Sequence, residues 1–585
     1  MEVQPLSEDE FLPLLQGYNE DWKKRFDKNP HLKRYVSKLI EDAYSTPMLV
    51  ETLSLELAKL KTPNVIYPVG DPIYIHIYTD PRSKNIVYHP VEPRLTENKE
   101  EILNHVEKEL ALRIDEDAVF NSSEEKAEFL YGLLEKIVMK GGETRIENKR
   151  IILDYSTYEK LKYEIYCEKV GHGILEPFIR DPYIEDVHCS GVGPIFLSHK
   201  IFGSVETTVT LNTQEELDRF IIKLSELVGK PVSHRNPIVD ATLLDGSRIN
   251  IVFGEDVSRR GSNFTIRKFA QRPLSIIELI KYGTMSSLVA AYLWILLEER
   301  MSIWVCGETA SGKTTTLSAI TSFIPPSAKI VSIEEVPEVH VPHRNWIREV
   351  VRETGNVASD EQGAVSMFQL LKAALRQRPT YIIVGEIRGV EGNIAFQAMQ
   401  TGHPVLSTFH AASVGKLIQR LTNYPINVPK THVDNLNVAI FQSAVHDPET
   451  GRYKRRVITV NEILGYEPAD QQFNFIEVFS YNPIFDNFEF RGLGTSYLLD
   501  SKIAVMRGLS GYGIRKIYEE LYQRSEILEY MLRLGITDYW EVWENLSWIN
   551  RVGIERAHHK YKRMCLMKFG SKVEDVIKAK IGRFL

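Results

Sequence analysis

The motif around which this chain is organised reads Gly307-Glu308-Thr309-Ala310-Ser311-Gly312-Lys313-Thr314. It matches the pattern G-x-x-x-x-G-K-[ST], in which a glycine-rich loop wraps phosphate groups. Residues 301–306 form a short apolar run typical of a buried strand, and residues 315–320 are typical of the start of a helix. Because strand, loop and helix are the context that this motif requires, the sequence predicts a phosphate-binding loop.

The physics of such a loop assigns a role to each part of the motif. Glycines let backbone N–H groups approach the phosphates, and the helix N-terminus adds partial positive charge. Lys313 would reach the β- and γ-phosphates, and the Thr314 hydroxyl would ligate Mg²⁺. The alternatives are a glycine-rich turn arising by chance and a loop that binds nucleotide without hydrolysing it. We expect ATP and Mg²⁺ as ligands, with a nucleotide-binding set of Gly307, Glu308, Thr309, Ala310, Ser311, Gly312, Lys313, Thr314 and Thr315.

Length and composition are ordinary for a soluble globular protein. The 585 residues correspond to about three or four structural units. A net charge of −7 gives no signature of general nucleic-acid binding. The four cysteines are far apart and include no C-x-x-C pair, which argues against a disulfide framework and a cysteine zinc site. No signal pattern or long apolar run is present, so we expect a cytoplasmic protein with at most peripheral membrane contact.

Changes of pattern along the chain predict four regions. Residues 1–165 are typical of an α+β partner-binding region, and residues 166–270 of a second α+β domain. A linker at 271–275 leads to alternating helices and apolar strands, which predict a parallel sheet in a motor domain over 271–500. Residues 501–585 are predicted to be helical, with a basic tail from about 548. We expect that tail to be a solvated face, with docking of acidic protein or anionic lipid as the alternative.

Arginines in the second region are candidate phosphate ligands. Asp245-Gly246 is a turn signal between apolar runs, Arg248 begins one predicted strand and Arg267 lies in another. Arg259 and Arg260 fall in the loop between these strands. On the residues alone, a solvated sheet edge is the favoured explanation of these arginines, and a phosphate contact is the alternative.

Acids after two apolar runs are candidates for the rest of a nucleotide site. Phosphoryl transfer needs a held metal ion and an activated water. The runs 330–333 and 381–385 end in Glu334-Glu335 and Glu386, and ligands of open α/β sheets bind outside the carboxyl ends of strands. Glu334 is predicted to be the base that activates water, and Glu386 to hold Mg²⁺ through a water. Glu335 is either part of the site or a solvated neighbour.

Two histidines, His403 and His410, bracket a further apolar run. This arrangement favours phosphate sensing about as much as a structural role. Metal ligation by the histidines is not expected, because no third soft ligand is nearby in sequence.

Together these segments resemble the four boxes of the type II/type IV secretion ATPases, namely residues 307–314, 333–335, 385–388 and 401–410. The resemblance continues through residues 181–186, 345–347 and 375–379, and covers roughly residues 90–545. Within the family it is closest to the archaeal branch, because residues 395–400 and 425–430 resemble the ATPase of the archaellum, the archaeal swimming filament.

The resemblance implies an α/β fold with a RecA-like P-loop motor core, a smaller α+β (PAS-like) N-terminal domain and a helical C-terminal extension. The protein would form a homohexameric ring, with ATP between the N-terminal part and the core and with Arg248 and Arg267 reaching a phosphate. Glu334 would match the catalytic glutamate, Glu386 the metal-side residue and His410 a phosphate-sensing histidine. The ring would act at the inner face of the cell membrane on a polytopic platform protein and other archaellum or pilus motor components.

Two departures from the family pattern matter. Glu335 stands where the family usually has aspartate, which leaves its role open. The four-cysteine zinc motif of bacterial members is absent from the sequence, so no zinc is expected.

Three alternatives to an archaellum ATPase stay open at the level of sequence. The first is the ATPase of an archaeal adhesive pilus or a secretion system. The second is a RecA-like nucleic-acid motor, which the acidic balance disfavours because such motors need a basic channel with stacking aromatics. The third is a nucleotide-gated binding module, which has little need for acids such as Glu334 and Glu386.

Overall fold

The structure is a computed structural model that describes residues 20–41, 46–96, 98–113, 120, 122–142, 144–147, 150–243, 245–269, 272–352, 364–447, 452–469 and 472–582. The chain divides into two compact units, Met1–Phe269 and Ala270–Leu585. The division lies one residue from the predicted start of the motor domain. Gln271 of the predicted linker lies outside the described residues. Among the helices that the structure describes, none is long and apolar enough to cross a membrane.

Unit 1 contains thirteen strands and seven α-helices within its described residues. The strands are β1 (Met48–Leu49), β2 (Asn64–Pro68), β3 (Tyr74–Thr79), β4 (Ile86–Val91), β5 (Val138–Lys140), β6 (Arg145–Glu147), β7 (Arg150–Leu153), β8 (Ile184–Cys189), β9 (Gly193–His199), β10 (Gly203–Leu211), β11 (Ile238–Thr242), β12 (Arg248–Val252) and β13 (Asn263–Arg267). The helices are α1 (Glu20–Lys28), α2 (Pro30–Glu41), α3 (Lys99–Ala111), α4 (Ser123–Ile137), α5 (Tyr155–Lys169), α6 (Glu176–Arg180) and α7 (Gln214–Leu227).

One sheet spans most of unit 1. Its strand order is β1-β2-β3-β4-β10-β9-β8-β13-β12-β11, and β4 pairs in parallel with β10. Strands from both predicted N-terminal regions therefore share one sheet and one core, which extends from Leu53 to Ile266. The predicted boundary at 165/166 falls inside this unit, because the pairing of β4 with β10 joins segments about a hundred residues apart in sequence, which local pattern does not reveal.

Unit 2 contains nine strands and eleven α-helices within its described residues. The strands are β14 (Ile303–Gly307), β15 (Ile330–Glu334), β16 (Trp346–Val350), β17 (Tyr381–Glu386), β18 (Val405–Phe409), β19 (Val438–Asp447), β20 (Arg452–Glu467), β21 (Gln472–Asn482) and β22 (Asn487–Phe490). The helices are α8 (Ile276–Lys281), α9 (Ser287–Glu298), α10 (Lys313–Ile320), α11 (Met367–Arg376), α12 (Glu391–Gln400), α13 (Val414–Thr422), α14 (Ala504–Met506), α15 (Arg515–Leu534), α16 (Tyr539–Val552), α17 (Ile554–Phe569) and α18 (Lys572–Gly582).

The sheet of unit 2 combines a parallel and an antiparallel half. Its order is β16-β15-β17-β18-β14-β19-β20-β21-β22, with parallel pairs from β16 through β19 and antiparallel pairs from β19 to β22. Helices join the parallel strands, as the alternating pattern predicts. This is a RecA-like α/β core extended by antiparallel strands.

The C-terminal helices are part of the core of unit 2. Helix α9 is apolar on all sides and almost entirely buried, because α15 packs against it. Residues from α8 to α18 belong to one hydrophobic cluster. Residues 501–585 are largely helical, as predicted, and α15 is the longest helix among the described residues of this region. The predicted boundary at 500/501 therefore does not separate a structural unit, since the apolar face of α15 is buried against α9.

Candidate active site

The phosphate-binding loop lies between β14 and α10, as the motif predicts. Helix α10 begins at Lys313, directly after the loop. Ser311 Oγ and Lys313 Nζ each donate a hydrogen bond of 2.8 Å to the carbonyl oxygen of Glu308. The lysine side chain is therefore held over the loop, and only 8% of the residue is exposed.

Two glycines of the loop are required by close contacts with β19. A Cβ atom on Gly307 would lie 2.2 Å from the carbonyl oxygen of Gln442. Gly312 has a left-handed φ of +90°, and a Cβ atom there would lie 2.9 Å from Gln442 Nε2. Both positions need glycine because a side chain would collide with the neighbouring strand.

Two side chains that the sequence analysis did not single out contact the loop. Gln442 of β19 is buried; its Nε2 donates to the Ser311 carbonyl oxygen at 2.7 Å, and its Oε1 accepts from Thr316 Oγ1 at 2.8 Å. Arg455 of β20 donates from Nε to the Ala310 carbonyl oxygen at 3.4 Å. Because β19 pairs with β14 and β20, residues more than 120 positions away in sequence brace the loop. No local motif marks them.

The parallel strands bring the predicted acids to one edge of the sheet. Ile333 pairs with Val384, Glu386 with Thr408, and Cys306 with Phe409. Glu334, Glu386 and His410 therefore stand at the same carboxyl edge as the phosphate-binding loop.

Glu334 is the most buried acid of this edge, with 1% of the residue exposed. Its Oε1 accepts hydrogen bonds from the backbone N–H groups of Glu338 and Val339, at 2.8 and 2.7 Å. Its Oε2 accepts no hydrogen bond from the described residues and lies 3.5 Å from Arg348 Nε. Burial raises the pKa of Glu334, and this outweighs the lowering by the two backbone hydrogen bonds and by Arg348.

This environment suits a general base. One oxygen is oriented by the backbone and the other keeps its capacity to accept a proton. A raised pKa makes the carboxylate a stronger base. Gly385 permits the arrangement, since a Cβ atom there would lie 3.1 Å from Glu334 Cγ.

Glu386 lies between two cationic or potentially cationic groups. Arg388 Nη2 donates to Glu386 Oε2 at 2.7 Å, and His410 Nε2 lies 2.9 Å from Glu386 Oε1 without the alignment of a hydrogen bond. Burial raises the pKa of Glu386, but the hydrogen bond from Arg388 and the charges of Arg388, His410 and Lys313 lower it by more. Burial and Lys313 lower the pKa of His410, while Glu386 opposes them. Glu386 is therefore held as an anion.

The structure separates the two histidines that the sequence analysis grouped. His410 follows the carboxyl end of β18, whereas His403 precedes its amino end and contacts Thr401 Oγ1 through Nδ1 at 3.2 Å. The grouping was wrong because a strand places residues before and after it at opposite edges of the sheet. Glu335 is exposed, and its Oε2 lies 3.4 Å from Arg388 Nη1.

Arg248 and Arg267 lie in unit 1 as directly paired residues of β12 and β13. Arg267 also pairs with Asp186 of β8, so the two arginines and an acid form a row across the sheet. Asp245-Gly246 lies in the turn from β11 to β12, and the segment from β12 to β13 carries Arg259 and Arg260. These last two arginines stand at the opposite end of the strand pair from Arg248 and Arg267.

Comparison with known proteins identifies the family of this chain. Residues 168–447 match the family model described as type II/IV secretion system protein. The type IV secretion system protein PtlH of Bordetella pertussis is 31% identical over 232 residues, which cover 36% of this chain and 68% of PtlH. The chain belongs to the type II/IV secretion system protein family.

Other relatives match over more of the length of this chain. An uncharacterized protein of Methanocaldococcus jannaschii is 46% identical over 532 residues, which cover 89% of this chain and 95% of the relative. Among solved structures, the pilus retraction motor PilT with bound ADP is 19% identical, with 64% of this chain and 96% of PilT covered at a TM-score of 0.36. This score is low, so the RecA-like assignment rests on the strand order of the chain itself.

The donor set at this edge of the sheet fits Mg²⁺. Magnesium sites of this kind use one or two protein oxygens together with phosphates and water. Thr314 is half-buried in the first turn of α10, and Glu386 is an anion at the end of β17, which β18 separates from β14. Mg²⁺ would polarise phosphate oxygens when bound. Because Arg388 occupies Glu386 Oε2 and His410 lies beside Oε1, the contact of Glu386 with the metal would pass through water. Among the described residues, no cluster of three or more His, Cys, Asp or Glu side chains could hold a metal ion.

Proposed function

We propose that this chain hydrolyses ATP and uses the cycle to drive motion between its two units. One observation supports this proposal. Glu334, Glu386 and His410 lie at the same edge of the sheet as the phosphate-binding loop, which holds the side chain of Lys313. A module that only binds nucleotide would need the loop but not a buried base beside it. PtlH, a relative by sequence, is named as a type IV secretion system protein, and a role in such a system is consistent with an ATPase that drives motion.

Each residue then has a distinct task in the reaction. Lys313 and the backbone of residues 307–315 would bind the phosphates, and Thr314 would ligate Mg²⁺. Glu334 would orient the attacking water through Oε2 and take its proton. His410 and Arg388 would hold Glu386 in place, and His410 would respond to the charge on the γ-phosphate.

We further propose that the active form is a homohexameric ring in which Arg248 and Arg267 complete the site. The two arginines are neighbours across β12 and β13, so together they present concentrated positive charge. Such charge stabilises the phosphoryl-transfer transition state.

The ring would work on a polytopic membrane platform at the cytoplasmic face, with other motor components. We propose assembly of a type IV pilus-like filament, the archaellum, with rotation as an additional output. The resemblance of residues 395–400 and 425–430 to the archaellum ATPase supports this proposal. An adhesive pilus or secretion system ATPase is the alternative, and a nucleic-acid motor is disfavoured by the net charge of −7.

The test is ATPase activity per mole of subunit against protein concentration, for the wild type and for Arg267→Ala. An arginine that completes a site in a neighbouring subunit is worth about 10³–10⁵ in turnover. We expect specific activity to rise with concentration for the wild type and to stay near zero for the variant. Constant specific activity together with a fully active variant would contradict the ring and the arginine assignment. Wild-type protein without any ATPase activity at any concentration would contradict the enzyme itself.

A further inference from the structure

Helix α17 carries an exposed face that the nucleotide chemistry does not use. On one side it buries Ala557, Tyr561 and Cys565. The opposite side, which we term the α17 outer face, consists of exposed residues at helical spacing: Arg556, His559, Lys560, Arg563, Met564 and Met567. This face presents three fixed positive charges along a helix of sixteen residues.

The cations of the α17 outer face differ from the other basic residues of the same region. Lys562 and Lys578 form ion pairs with Glu574, and Lys580 with Glu529. By contrast, Arg556, Lys560 and Arg563 have no ion-pair partner among the described residues. No carboxylate of the described residues therefore neutralises the charge of these three exposed side chains.

The remaining contacts keep this charge on the surface. Lys560 Nζ lies 3.8 Å from the ring centre of Trp548, so a cation–π contact holds this ammonium group while the residue remains exposed. The single acid of α17, Glu555, lies a quarter turn or more away from the centre of the face. The whole chain has a net charge of −7, so the positive charge of the α17 outer face is local and opposite in sign to the net charge of the chain.

Apolar side chains accompany the charges. Met567 is 71% exposed and Met564 40%, and both lie between cations on the same face. Phe569 at the end of the helix is 46% exposed, beneath Lys568. Flexible apolar side chains among outward cations match the headgroup region of a bilayer, where both kinds of group find partners.

We propose that the α17 outer face docks on the surface of an anionic lipid bilayer. The charge complementarity is with lipid phosphates, and the methionines make shallow apolar contact. The exposed residues lie along one side of a single helix, and such a face suits a planar surface more than a peptide that needs a groove. The proposal adds a membrane contact to the proposed motor and does not depend on ATP hydrolysis.

The experiment is sedimentation of the full-length protein with vesicles. One set consists of pure phosphatidylcholine, and the other of an equimolar mixture of phosphatidylcholine and phosphatidylglycerol. The test variant combines Arg556→Gln, Lys560→Gln and Arg563→Gln. A charge-matched control combines Lys61→Gln, Arg82→Gln and Lys84→Gln, which are exposed residues of unit 1.

We expect the wild type and the control to bind the anionic vesicles in preference to the neutral ones. Each cation near an anionic surface is worth about a fivefold change in partitioning, so the test variant should lose about a hundredfold at low salt. Raising the salt from ~0.1 M to ~1 M shortens the screening length about threefold and should release the wild type without any mutation. Met567→Gln should weaken binding by a smaller factor than the triple change.

Three results would overturn the proposal. The first is equal binding of the wild type to neutral and anionic vesicles. The second is binding of the test variant as strong as that of the control. The third is a test variant that binds vesicles like the wild type but has an altered sedimentation coefficient without lipid. This result would indicate that the α17 outer face is a contact between copies of the chain. An unchanged melting temperature of the variant excludes misfolding as the cause of lost binding.

Discussion

At the scale of single residues, Glu334 is the most informative side chain. Glu334→Gln should retain ATP binding and lose about 10²–10⁴-fold in turnover, because general-base catalysis contributes that much. Since burial raises the pKa of Glu334, kcat of the wild type should fall with decreasing pH already above the ordinary range of a glutamate. The base must be deprotonated, so activity is present above its pKa and lost below it. Phosphate release against pH measures both effects.

The neighbouring acid provides a matched control. Glu335 is more than half exposed in its side chain, and its Oε2 lies 3.4 Å from Arg388 Nη1. Glu335→Gln should therefore keep most of the activity and the wild-type pH profile. If Glu335→Gln lost most of the activity while Glu334→Gln stayed active, the assignment of Glu334 as the base would be wrong.

Gln442 is predicted to act by positioning the phosphate-binding loop. Gln442→Leu removes both hydrogen bonds and leaves the buried Ser311 carbonyl and Thr316 hydroxyl unsatisfied, which costs about 1–3 kcal/mol. We expect KM for ATP to rise about tenfold with a smaller change in kcat. Thr316→Val removes only one of the two bonds and should give an intermediate KM. A loss confined to kcat would argue against a positioning role.

At the scale of elements, the contact between α15 and α9 holds the C-terminal helices in unit 2. Arg524 is 2% exposed; its Nη2 lies 2.6 Å from Glu298 Oε2, and its guanidinium lies 4.6 Å from the ring centre of Trp294. Arg524→Ala leaves Glu298 and Glu520 without this partner and should cost about 3 kcal/mol. Calorimetry should show a lower melting temperature for the transition that nucleotide stabilises.

Arg533 of the same helix is the control for this prediction. It is exposed, so Arg533→Ala should change stability by less than about 0.5 kcal/mol. Arg524→Met should recover part of the loss, because a well-packed apolar side chain replaces a buried ion pair at little cost. If Arg524→Ala shifted a transition that nucleotide leaves unchanged, the helices would belong to a separate folding unit.

At the scale of the whole molecule, the proposed ring predicts complementation between two inactive variants. Lys313→Ala lacks the phosphate ligand, and Arg267→Ala lacks the arginine that the neighbouring subunit would supply. Random mixing in equal amounts makes about one quarter of the interfaces intact in a heterologous ring. We expect the mixture to recover about that fraction of wild-type ATPase activity. A mixture as inactive as its components would mean that Arg267 acts within its own subunit or not at all.

Part of this architecture was predictable because it depends on short-range pattern. The glycine motif, the strand before it and the helix after it follow from local composition, and the strands ending in Glu334 and Glu386 were predicted from apolar runs that end in acids. The carboxyl-edge rule for parallel strands then predicted that these acids share one edge. The family resemblance, confirmed by the match over residues 168–447, depends on the same segments.

Other features were decided by the tertiary structure alone. Gln442 and Arg455 reach the loop only because β19 and β20 pair beside β14. Arg388 and His410 meet at Glu386 because β17 and β18 are neighbours in parallel register. Likewise, the pairing of β4 with β10 and the packing of α15 against α9 place the predicted boundaries at 165/166 and 500/501 inside the two compact units. Each depends on which distant segments pair and in what register, and the free energy of that choice comes from burial across the whole core, which no local pattern encodes.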